Sequence, residues 1–417
     1  MDFGIAISGL NSSSTSIDTI GNNISNASTV GFKTAVTEFA AQYLPPIGGG
    51  SAQSGGAGVK VTTVAQQFTQ GSISNTGNNL DVAIDGSGFF QLNNNGTTQY
   101  TRNGQFHVDA SGYLVSSNGA RVQGYASNSS GGVVTGTVGD LLIPQSEIAP
   151  TTTTTIKGNL NLDSRSTPIP STTTFSTQDQ TSFNNESSVS VYDTLGNPHT
   201  LTNYFALSTV NASGGSTWNV YSTVDGAAVT SNQPDTLAFS ANGILLGANG
   251  STTSNVVSLT ATQTNGSTTP LSMKYDFSGT TQFGSAFAVT SLSQDGGGPG
   301  ILTGFSFAPN GVITGTYSNG KTGSLGQVTL TNFANPQGLE RNGDNTWTAT
   351  ATSGTPIAAA PPGSNGTGSV QGSSLESSNV DLTSQLVNLI TAQRDYQANA
   401  QTVKTLDSMF NTIDTLR

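Results

Sequence analysis

The sequence predicts a mainly β protein that carries terminal α-helices at its two ends. Short apolar alternations separated by turn signals such as NNNG, TRNG and DASG are typical of β-hairpins. Apolar residues at helical spacing near both ends of the chain predict the two helices. Glycine- and proline-rich stretches lie between each helix and the β-rich part. Because 417 residues exceed what one small core can organise, we expect a nested, multi-domain arrangement.

The N-terminal segment predicts a helix roughly 40 Å long. Its residues follow the four–three alternation of a heptad seam: Phe3, Ile7, Leu10, Ser14, Ile17, Gly21 and Ile24. Ile5 and Ile20 lie beside this seam and widen the apolar stripe. Asn26 and the β-branched pair Thr29 and Val30 end the pattern before Gly31.

The C-terminal segment predicts a second helix of roughly 55 Å. In the string SNVD, Ser378 and Asp381 have the spacing of a capping box, with the serine accepting a first-turn N–H. The seam continues at Leu382, Leu386, Leu389, Gln393, Tyr396, Ala400 and Val403, then slips by one residue onto Leu406, Phe410 and Ile413. Ile390 lies off this seam.

The part between the helices predicts domains nested inside one another. A terminal helical domain of two helices paired as in a coiled coil encloses linkers, a discontinuous inner β-domain, and an inserted outer β-sandwich or barrel. The expected boundaries are 1–31 plus 375–417 for the helices, 32–75 plus 356–374 for linker or extended segments, 76–150 plus 286–355 for the inner domain, and 151–285 for the outer domain, either one domain or two. This order requires both ends of the chain to lie together.

Composition excludes several kinds of site. Cysteine is absent, and His107 and His199 are the two histidines, so thiolate chemistry is excluded and a multi-histidine metal site is disfavoured. The net charge of −11 is spread along the chain without a basic run, which disfavours nucleic acid as a partner. No apolar run reaches the length of a membrane span. We expect no catalytic residues, cofactor or metal, and no cleavable secretory signal at the start.

Several strings resemble the rod and hook proteins of the bacterial flagellum. NNISNASTVGFK, which ends in Gly31, Phe32 and Lys33, is similar to their N-terminal signature. The segment SSLESSNVDLTSQLVNLITAQRDYQAN, with Ser378, Asn379 and Asp381 in its SNVD part, resembles their C-terminal signature. LDVAIDGSGFFQL, YTRNGQFHVDASGYLVSSNGARVQGY and TGFSFAPNGVITGTYSNGKTGSLGQVTL are similar to their shared β-domain. The additional stretch near 150–285 favours the hook branch over the shorter distal rod protein.

The resemblance implies a structural subunit of the hook, the curved extracellular tube that passes torque from rod to filament as a universal joint. It implies a homopolymer, with a hook-cap protein, the distal rod protein, a hook–filament junction protein and the flagellar type III export apparatus as further partners. It also implies export without a cleavable signal peptide, and neither nucleic-acid binding nor membrane insertion.

The two helices are the candidate assembly site. A single helix pair needs only a narrow apolar seam, so the surplus apolar surface predicts contacts with other copies, and short helices alone are marginal in water. We therefore expect terminal segments that become ordered when neighbours supply the missing surface. The candidate assembly residues are Phe3, Ile7, Leu10, Ile17, Ile20 and Ile24 in the first helix, and Leu382, Leu386, Leu389, Ile390, Arg394, Tyr396, Val403, Phe410 and Ile413 in the second.

Two other classes remain open from the residues. A secreted β-rich glycosidase would need two carboxylates converging in a cleft, and Asp193 in YDTLGNP is a better turn former than catalyst. An adhesin would also be β-rich and free of cysteine. Deletion of residues 1–30 separates the classes, because it spares an enzyme and abolishes a polymer.

Overall fold

A computed structural model describes most of the chain. The described residues are 3–43, 56–128, 132–134, 136–144, 147–212, 214–229, 233–262 and 270–415, without the side chains of residues 43 and 413–415. They form two α-helices, one near each end, and otherwise strands, turns and two short 3₁₀ turns at Gln180–Ser182 and Pro336–Gly338. The predicted fold class, mainly β with terminal helices, is confirmed.

The described residues divide into two compact units. Unit 1 comprises Met1–Gln145, Gly304–Thr316 and Thr322–Arg417, and unit 2 comprises Ser146–Thr303 and Tyr317–Lys321. Unit 1 is therefore discontinuous in sequence, and unit 2 is inserted into it.

The first passage of the chain through unit 1 contains one helix and ten strands. They are α1 (Phe3–Ser25), β1 (Ala35–Tyr43), β2 (Gly56–Gln66), β3 (Ile73–Asn75), β4 (Val82–Asp85), β5 (Phe89–Asn94), β6 (Thr97–Thr101), β7 (Phe106–Val108), β8 (Leu114–Ser116), β9 (Arg121–Ala126) and β10 (Gly139–Asp140).

The strands from β11 to β20 belong to unit 2. They are β11 (Thr155–Asn161), β12 (Asn185–Tyr192), β13 (Pro198–Val210), β14 (Ser216–Val224), β15 (Ala227–Ala228), β16 (Asp235–Phe239), β17 (Leu245–Ala248), β18 (Val256–Ala261), β19 (Leu271–Asp276) and β20 (Ala288–Gln294).

The chain then returns to unit 1. The returning elements are β21 (Leu302–Phe307), β22 (Val312–Tyr317), β23 (Thr322–Val328), β24 (Leu330–Asn332), β25 (Glu340–Arg341), β26 (Thr346–Thr348), β27 (Ile357–Ala360), β28 (Ser369–Gly372), β29 (Ser374–Glu376) and α2 (Leu382–Thr415).

Unit 1 is built on a 13-stranded sheet that mixes strands from both passages of the chain. Its central path runs β21-β22-β23-β9-β5-β6-β26-β25, so β23 and β26 from the second passage pair with β9 and β6 from the first. Next to it, β28 pairs with β4 and β29 pairs with β3, both antiparallel. An aromatic core holds the two passages together through edge-to-face contacts of Phe89, Tyr100, Phe333 and Trp347.

Unit 2 is a β-sandwich. A six-stranded sheet (β12-β13-β14-β16-β17, with β15 on β14) and a four-stranded sheet (β18-β19-β11-β20) contribute to one hydrophobic core. Strand β19 shows the alternation that such packing requires, because Leu271, Met273 and Tyr275 are buried while Ser272 and Lys274 are exposed. The choice between sandwich and barrel is thereby decided.

Three segments differ from the expected boundaries. Within 32–75, strands β1 and β2 form a long antiparallel hairpin, because β-branched residues in AVTEF and VKVTTV outweigh the neighbouring glycines; residues 45–55 of PPIGGGSAQSGGAG lie outside the described part. Within 356–374, β27 and β28 are sheet strands rather than a linker. The inserted unit extends beyond residue 285, because β20 pairs with β11.

No helix in the described part of the chain combines the length and the apolar content needed to cross a membrane.

Candidate assembly site

The two helices pack side by side in opposite directions. Asn23, near the end of α1, donates to Gln385 near the start of α2 (3.2 Å). Gly9, near the start of α1, lies so close to Asn399 that an added Cβ would be 2.9 Å from its amide. Contacts nearer the start of α1 therefore involve residues further along α2, so the two helices form an antiparallel pair within unit 1.

This intramolecular contact uses small and polar residues. On α2, Gln385, Ala392, Asn399 and Leu406 recur at heptad spacing, and Ala392 and Leu406 are the buried apolar members. On α1 the buried apolar side chains are Ala6 and Ile20. The expected seam is therefore wrong in register over most of its length, with Leu406 as an exception, because most of the larger apolar residues do not lie on the face that joins the two helices.

On α1 that larger stripe remains at least partly open to solvent. Phe3 is 41% exposed and Ile7 is 40% exposed, while Leu10, Ile17 and Ile24 are half-buried. Ile20, expected beside the seam, is buried instead. The reason is geometric: α1 turns the Ala6–Ile20 side towards α2 and the rest of unit 1.

On α2 the exposure is greater. Leu386 is 50% exposed and Ile390 is 52% exposed. The other exposed candidates are Leu382, Arg394, Tyr396 and Phe410, while Leu389 and Val403 are half-buried. The side chain of Ile413 lies outside the described residues. A row of large apolar side chains thus faces away from α1.

The β1–β2 hairpin lies along α1 through polar contacts. The backbone N–H of Val59 donates to the Ser8 hydroxyl (3.1 Å), and the Thr37 hydroxyl donates to that of Thr19 (3.0 Å). The Asn23 side chain bonds both backbone groups of Ala35, donating to its carbonyl at 2.8 Å and accepting from its N–H at 2.9 Å. This pair of hydrogen bonds fixes the direction in which the chain leaves α1.

The residues after α1 meet the residues before α2. Gly31 has φ +68°, and a Cβ there would lie 2.8 Å from the backbone nitrogen of Asn103, so glycine is required both by conformation and by space. Phe32 is buried, and Lys33 is fully buried. The N–H of Gly31 donates to the backbone carbonyl of Glu376 at 2.9 Å.

Lys33 lies in a buried ionic cluster. Its Nζ donates to Glu376 Oε1 at 2.7 Å, and Arg102 Nη1 donates to Glu376 Oε2 at 3.2 Å. Burial lowers the pKa of Lys33, and the attraction of the Glu376 carboxylate offsets only part of that effect. Burial likewise lowers the pKa of the Arg102 guanidinium.

Asn379 joins three segments with one side chain. Its Oδ1 accepts from the backbone N–H of Thr34 (2.8 Å) and from the Thr34 hydroxyl (2.7 Å). Its Nδ2 donates to the carbonyl of Gln67 (2.8 Å) and to that of Thr69 (3.1 Å). The amide therefore ties the start of the hairpin, its end, and the approach to α2 together.

Asp381, not Ser378, caps α2. Its Oδ1 accepts from the N–H groups of Thr383 (2.9 Å) and Ser384 (3.2 Å), and these bonds hold the pKa of its carboxyl below the usual value. The Ser378 hydroxyl accepts instead from Val380 N–H at 3.3 Å, outside the helix. The expected capping box fails because α2 begins only at Leu382, so Asp381 rather than Ser378 stands directly before the first turn.

Sequence reasoning missed four residues of this region: Asn23, Arg102, Glu376 and Asn399. Glu376 lies two residues before the SNVD string, and its charge in an otherwise uncharged stretch was a usable signal. Asn23 and Asn399 carried no signal, because nothing in a sequence separates a bridging asparagine from a solvated one.

The glycosidase alternative gains no support from the carboxylates of unit 2. Asp193 Oδ1 accepts from the N–H groups of Leu195 (2.9 Å) and Asn197 (2.8 Å), so the prediction of a turn former is confirmed. Asp225 bonds Nδ1 of His199 at 2.6 Å and closes a neighbouring turn. Within the described residues, no group of three or more histidine, aspartate or glutamate side chains is arranged to hold a metal ion.

Comparisons with known families match most of the chain in segments. The matching models are the Flagella basal body rod protein (residues 3–33), the Flagellar hook protein FlgE/F/G D1 domain (83–164), the Flagellar basal body protein FlaE D2 domain (161–296) and the Flagellar basal body rod FlgEFG protein C-terminal (371–416). Their order equals the order of helix, inner strands, inserted strands and helix along the chain.

Three relatives that match over nearly the whole chain are named flagellar hook protein FlgE. The flagellar hook protein FlgE of Escherichia coli (strain K12) is 39% identical, and that of Salmonella typhimurium 38%, with 100% of both chains covered in each case. The flagellar hook protein FlgE of Treponema pallidum is 32% identical over 99% of this chain and 98% of its own. The crystal structure of Helicobacter pylori flagellar hook protein FlgE2 superposes with a TM-score of 0.52 at 16% identity, covering 72% of this chain and 99% of that one, which speaks for the fold alone.

Proposed function

Because the chain belongs to the flagellar hook protein family and is a structural subunit of the bacterial flagellar hook, we propose that its copies polymerise through the outward apolar stripes of α1 and α2. The hook is the curved tube that passes torque from rod to filament in motility. The main interpretation of the sequence, a hook subunit, is confirmed over the distal rod alternative.

One observation carries the proposal. The helices join each other through small and polar residues such as Gly9, Ala392 and Asn399, while Leu386, Ile390 and Phe3 point elsewhere. Exposing these apolar side chains does not stabilise a monomer. Rows of exposed large apolar side chains are typical of binding surfaces. Burying the exposed half of one leucine or isoleucine contributes about 1 kcal/mol, so several such contacts per copy add up along a polymer.

The charge distribution suits an interface that shifts as the tube bends. The side chains described on α1 and α2 include few charges, and Arg394 is exposed with no ion pair assigned to it in the described part of the chain. Neutral hydroxyl and amide contacts exchange with water or a neighbour at small cost, whereas breaking a buried ion pair costs about 3–5 kcal/mol. An interface with few charges therefore shifts at a lower cost than one held by buried ion pairs.

The family assigns the chain to the flagellar hook as a self-polymerising subunit. Beyond that, we propose contacts with a hook-cap protein during growth, with the distal rod protein at the base, and with a hook–filament junction protein at the tip. We also propose passage through the flagellar type III export apparatus to the cell exterior without a cleaved signal. The family is structural, and we propose no catalysis for this chain.

Electron microscopy of the purified chain under polymerising conditions tests the proposal. We expect tubes from the wild type and none from the double variant Leu386→Gln with Ile390→Gln, which keeps good helix formers but removes both apolar side chains. The matched control Leu386→Met with Ile390→Met keeps both positions apolar and should still give tubes. A wild type that stays monomeric would contradict polymerisation, and tubes from the glutamine variant would contradict the stripe as its interface.

A further inference from the structure

The buried cluster of Lys33, Arg102 and Glu376 holds two cations and one carboxylate. Glu376 Oε1 accepts from Lys33 Nζ (2.7 Å) and from the backbone N–H of Gly71 (2.8 Å), and Oε2 accepts from Arg102 Nη1 (3.2 Å). The side chains of Lys33 and Glu376 are fully buried, and that of Arg102 is 4% exposed. One carboxylate is thus the counterion for two buried cations.

The three side chains come from distant parts of the chain. Lys33 lies between α1 and β1, Arg102 directly follows β6, and Glu376 ends β29, which is held in place by its pairing with β3. Glu376 therefore belongs to the last segment before α2. Because a chain is synthesised from its N-terminus, Lys33 and Arg102 are made before Glu376, their counterion.

Without Glu376 the two cations have little compensation. Lys33 Nζ keeps the carbonyl of Thr69 (2.8 Å), and Arg102 Nη2 keeps the carbonyl of Gly86 (2.8 Å), but both are neutral acceptors. Arg102 Nε is buried without a hydrogen-bond partner even in the complete cluster. Two like charges buried side by side repel each other, and burial already disfavours the charged form of each.

We propose that this cluster makes docking of the N-terminal segment conditional on the C-terminal segment. Until Glu376 arrives, burying Lys33 beside Arg102 is unfavourable, so residues 31–35, and with them the exit from α1, stay undocked from the rest of unit 1. Once Glu376 is in place, Lys33 docks and the Asn379 amide bonds Thr34, which brings the end of α1 beside the start of α2 of the same chain. The cluster is a completeness switch for the helix pair.

The placement of the charges fits a switch better than a stabilising bond. A buried ion pair adds little net stability, because desolvation cancels most of the attraction, and an apolar replacement is often as stable. A cluster selected for stability alone would need no surplus cation. A surplus cation increases the difference in docking free energy between the states with and without Glu376. Conditional docking requires such a difference.

Amide hydrogen exchange on the full-length chain in its unpolymerised state tests the proposal. The reporters are the N–H groups of Gly31 and Thr34, which donate to Glu376 and Asn379 respectively. The variants are Glu376→Gln, Lys33→Met, and both together. The amides of Trp218 and Val220 in unit 2 serve as the internal standard for a folded chain.

For Glu376→Gln we expect exchange at the reporters to accelerate roughly 100-fold or more, because an uncompensated pair of buried cations remains. For Lys33→Met we expect less than about a tenfold change, since Arg102 and Glu376 still neutralise each other. Adding Lys33→Met to Glu376→Gln should restore part of the protection, since one buried charge is removed. A purely structural role of the hydrogen bonds predicts the opposite, because the double variant loses more of them.

Unchanged reporters in Glu376→Gln, or a double variant that is no better protected than Glu376→Gln, would overturn the proposal. If Glu376→Gln prevents unit 1 from folding at all, the double variant decides: a folded double variant supports the switch, and an unfolded one refutes it. Protection at Trp218 and Val220 must stay at the wild-type level in each comparison.

Discussion

The sandwich of unit 2 and the helix pair of unit 1 bury their apolar residues in opposite ways. In the sandwich, Trp218, Phe205 and Phe239 are fully buried within one shared core. In the helix pair the described buried apolar residues are Ala6, Ile20, Ala392 and Leu406, while most of the larger apolar residues are exposed or half-buried. The sandwich is complete in one copy of the chain, whereas the helix pair is completed by other copies.

The largest expected effect belongs to the sandwich core. Phe205→Ala should lower the free energy of unfolding of unit 2 by about 3–5 kcal/mol, because it leaves a cavity among fully buried neighbours. Chemical denaturation followed by the fluorescence of Trp218 measures this loss. Phe283→Ala, at a half-exposed position of the same unit, is the control and should change little. A loss below about 1 kcal/mol in Phe205→Ala would show that the sandwich is not a self-sufficient core.

A smaller effect is expected where the two terminal segments meet. Asn379→Ala should destabilise this junction by about 2 kcal/mol, because the buried N–H of Thr34 loses its acceptor. Hydrogen exchange at the Thr34 N–H measures the change. Ser378→Ala is the matched control beside it and should alter exchange little, since its hydroxyl accepts only one long bond outside the helix. Equal effects of the two substitutions would contradict the assigned role of Asn379.

Periodicity predicts both helices well but orients them wrongly. The stripe of Phe3, Ile7 and Ile24 is more hydrophobic than the Gly9 and Asn23 side, so a rule that turns the more hydrophobic face inward selects the wrong seam. That rule assumes a chain that buries its apolar surface by itself. The error is therefore informative, because it occurs where the chain depends on its neighbours.

Contacts between residues far apart in the sequence are the second feature that sequence reasoning does not predict. The alternation in AVTEF predicts a strand, but nothing local predicts that β1 lies along α1 through Asn23. The ionic cluster joins Lys33 to Glu376 across most of the chain. The resemblance strings contain Lys33, Glu376 and Asn379 alike, but a matching string does not show which of its residues pair in space.

A still smaller effect is expected at the cap of α2, and it depends on pH. Asp381→Ala should fray the first turn, because the N–H groups of Thr383 and Ser384 lose their acceptor. Since folding lowers the pKa of the Asp381 carboxyl below its usual value, its contribution is fully present above the usual pKa and is lost as the pH falls through the lowered value.

Asp381→Asn is the matched control for that pH dependence. Asparagine is also a good cap, so helicity by circular dichroism should remain near the wild-type level at neutral pH. The acid-induced loss of helicity attributable to this position should disappear. An unchanged acid transition in Asp381→Asn would show that other carboxylates cause it.

The smallest effect on the free chain is expected at the outward stripe. Leu386→Ala should change the free energy of unfolding of the unpolymerised subunit by no more than about 0.5 kcal/mol, because the side chain is half exposed there. The same substitution should raise the concentration needed for polymerisation several-fold. Sedimentation across a dilution series measures that concentration. A large loss of stability in the free subunit would place Leu386 in an intramolecular core and contradict the comparison.

Amide hydrogen exchange of the free subunit and of the polymer tests the central claim most directly. We expect α1 and α2 to exchange rapidly in the free subunit and to become strongly protected in the polymer. The strands of the unit 2 sandwich should be equally protected in both states. Helices that are already as protected in the free subunit as in the polymer would contradict the claim that neighbouring copies complete them.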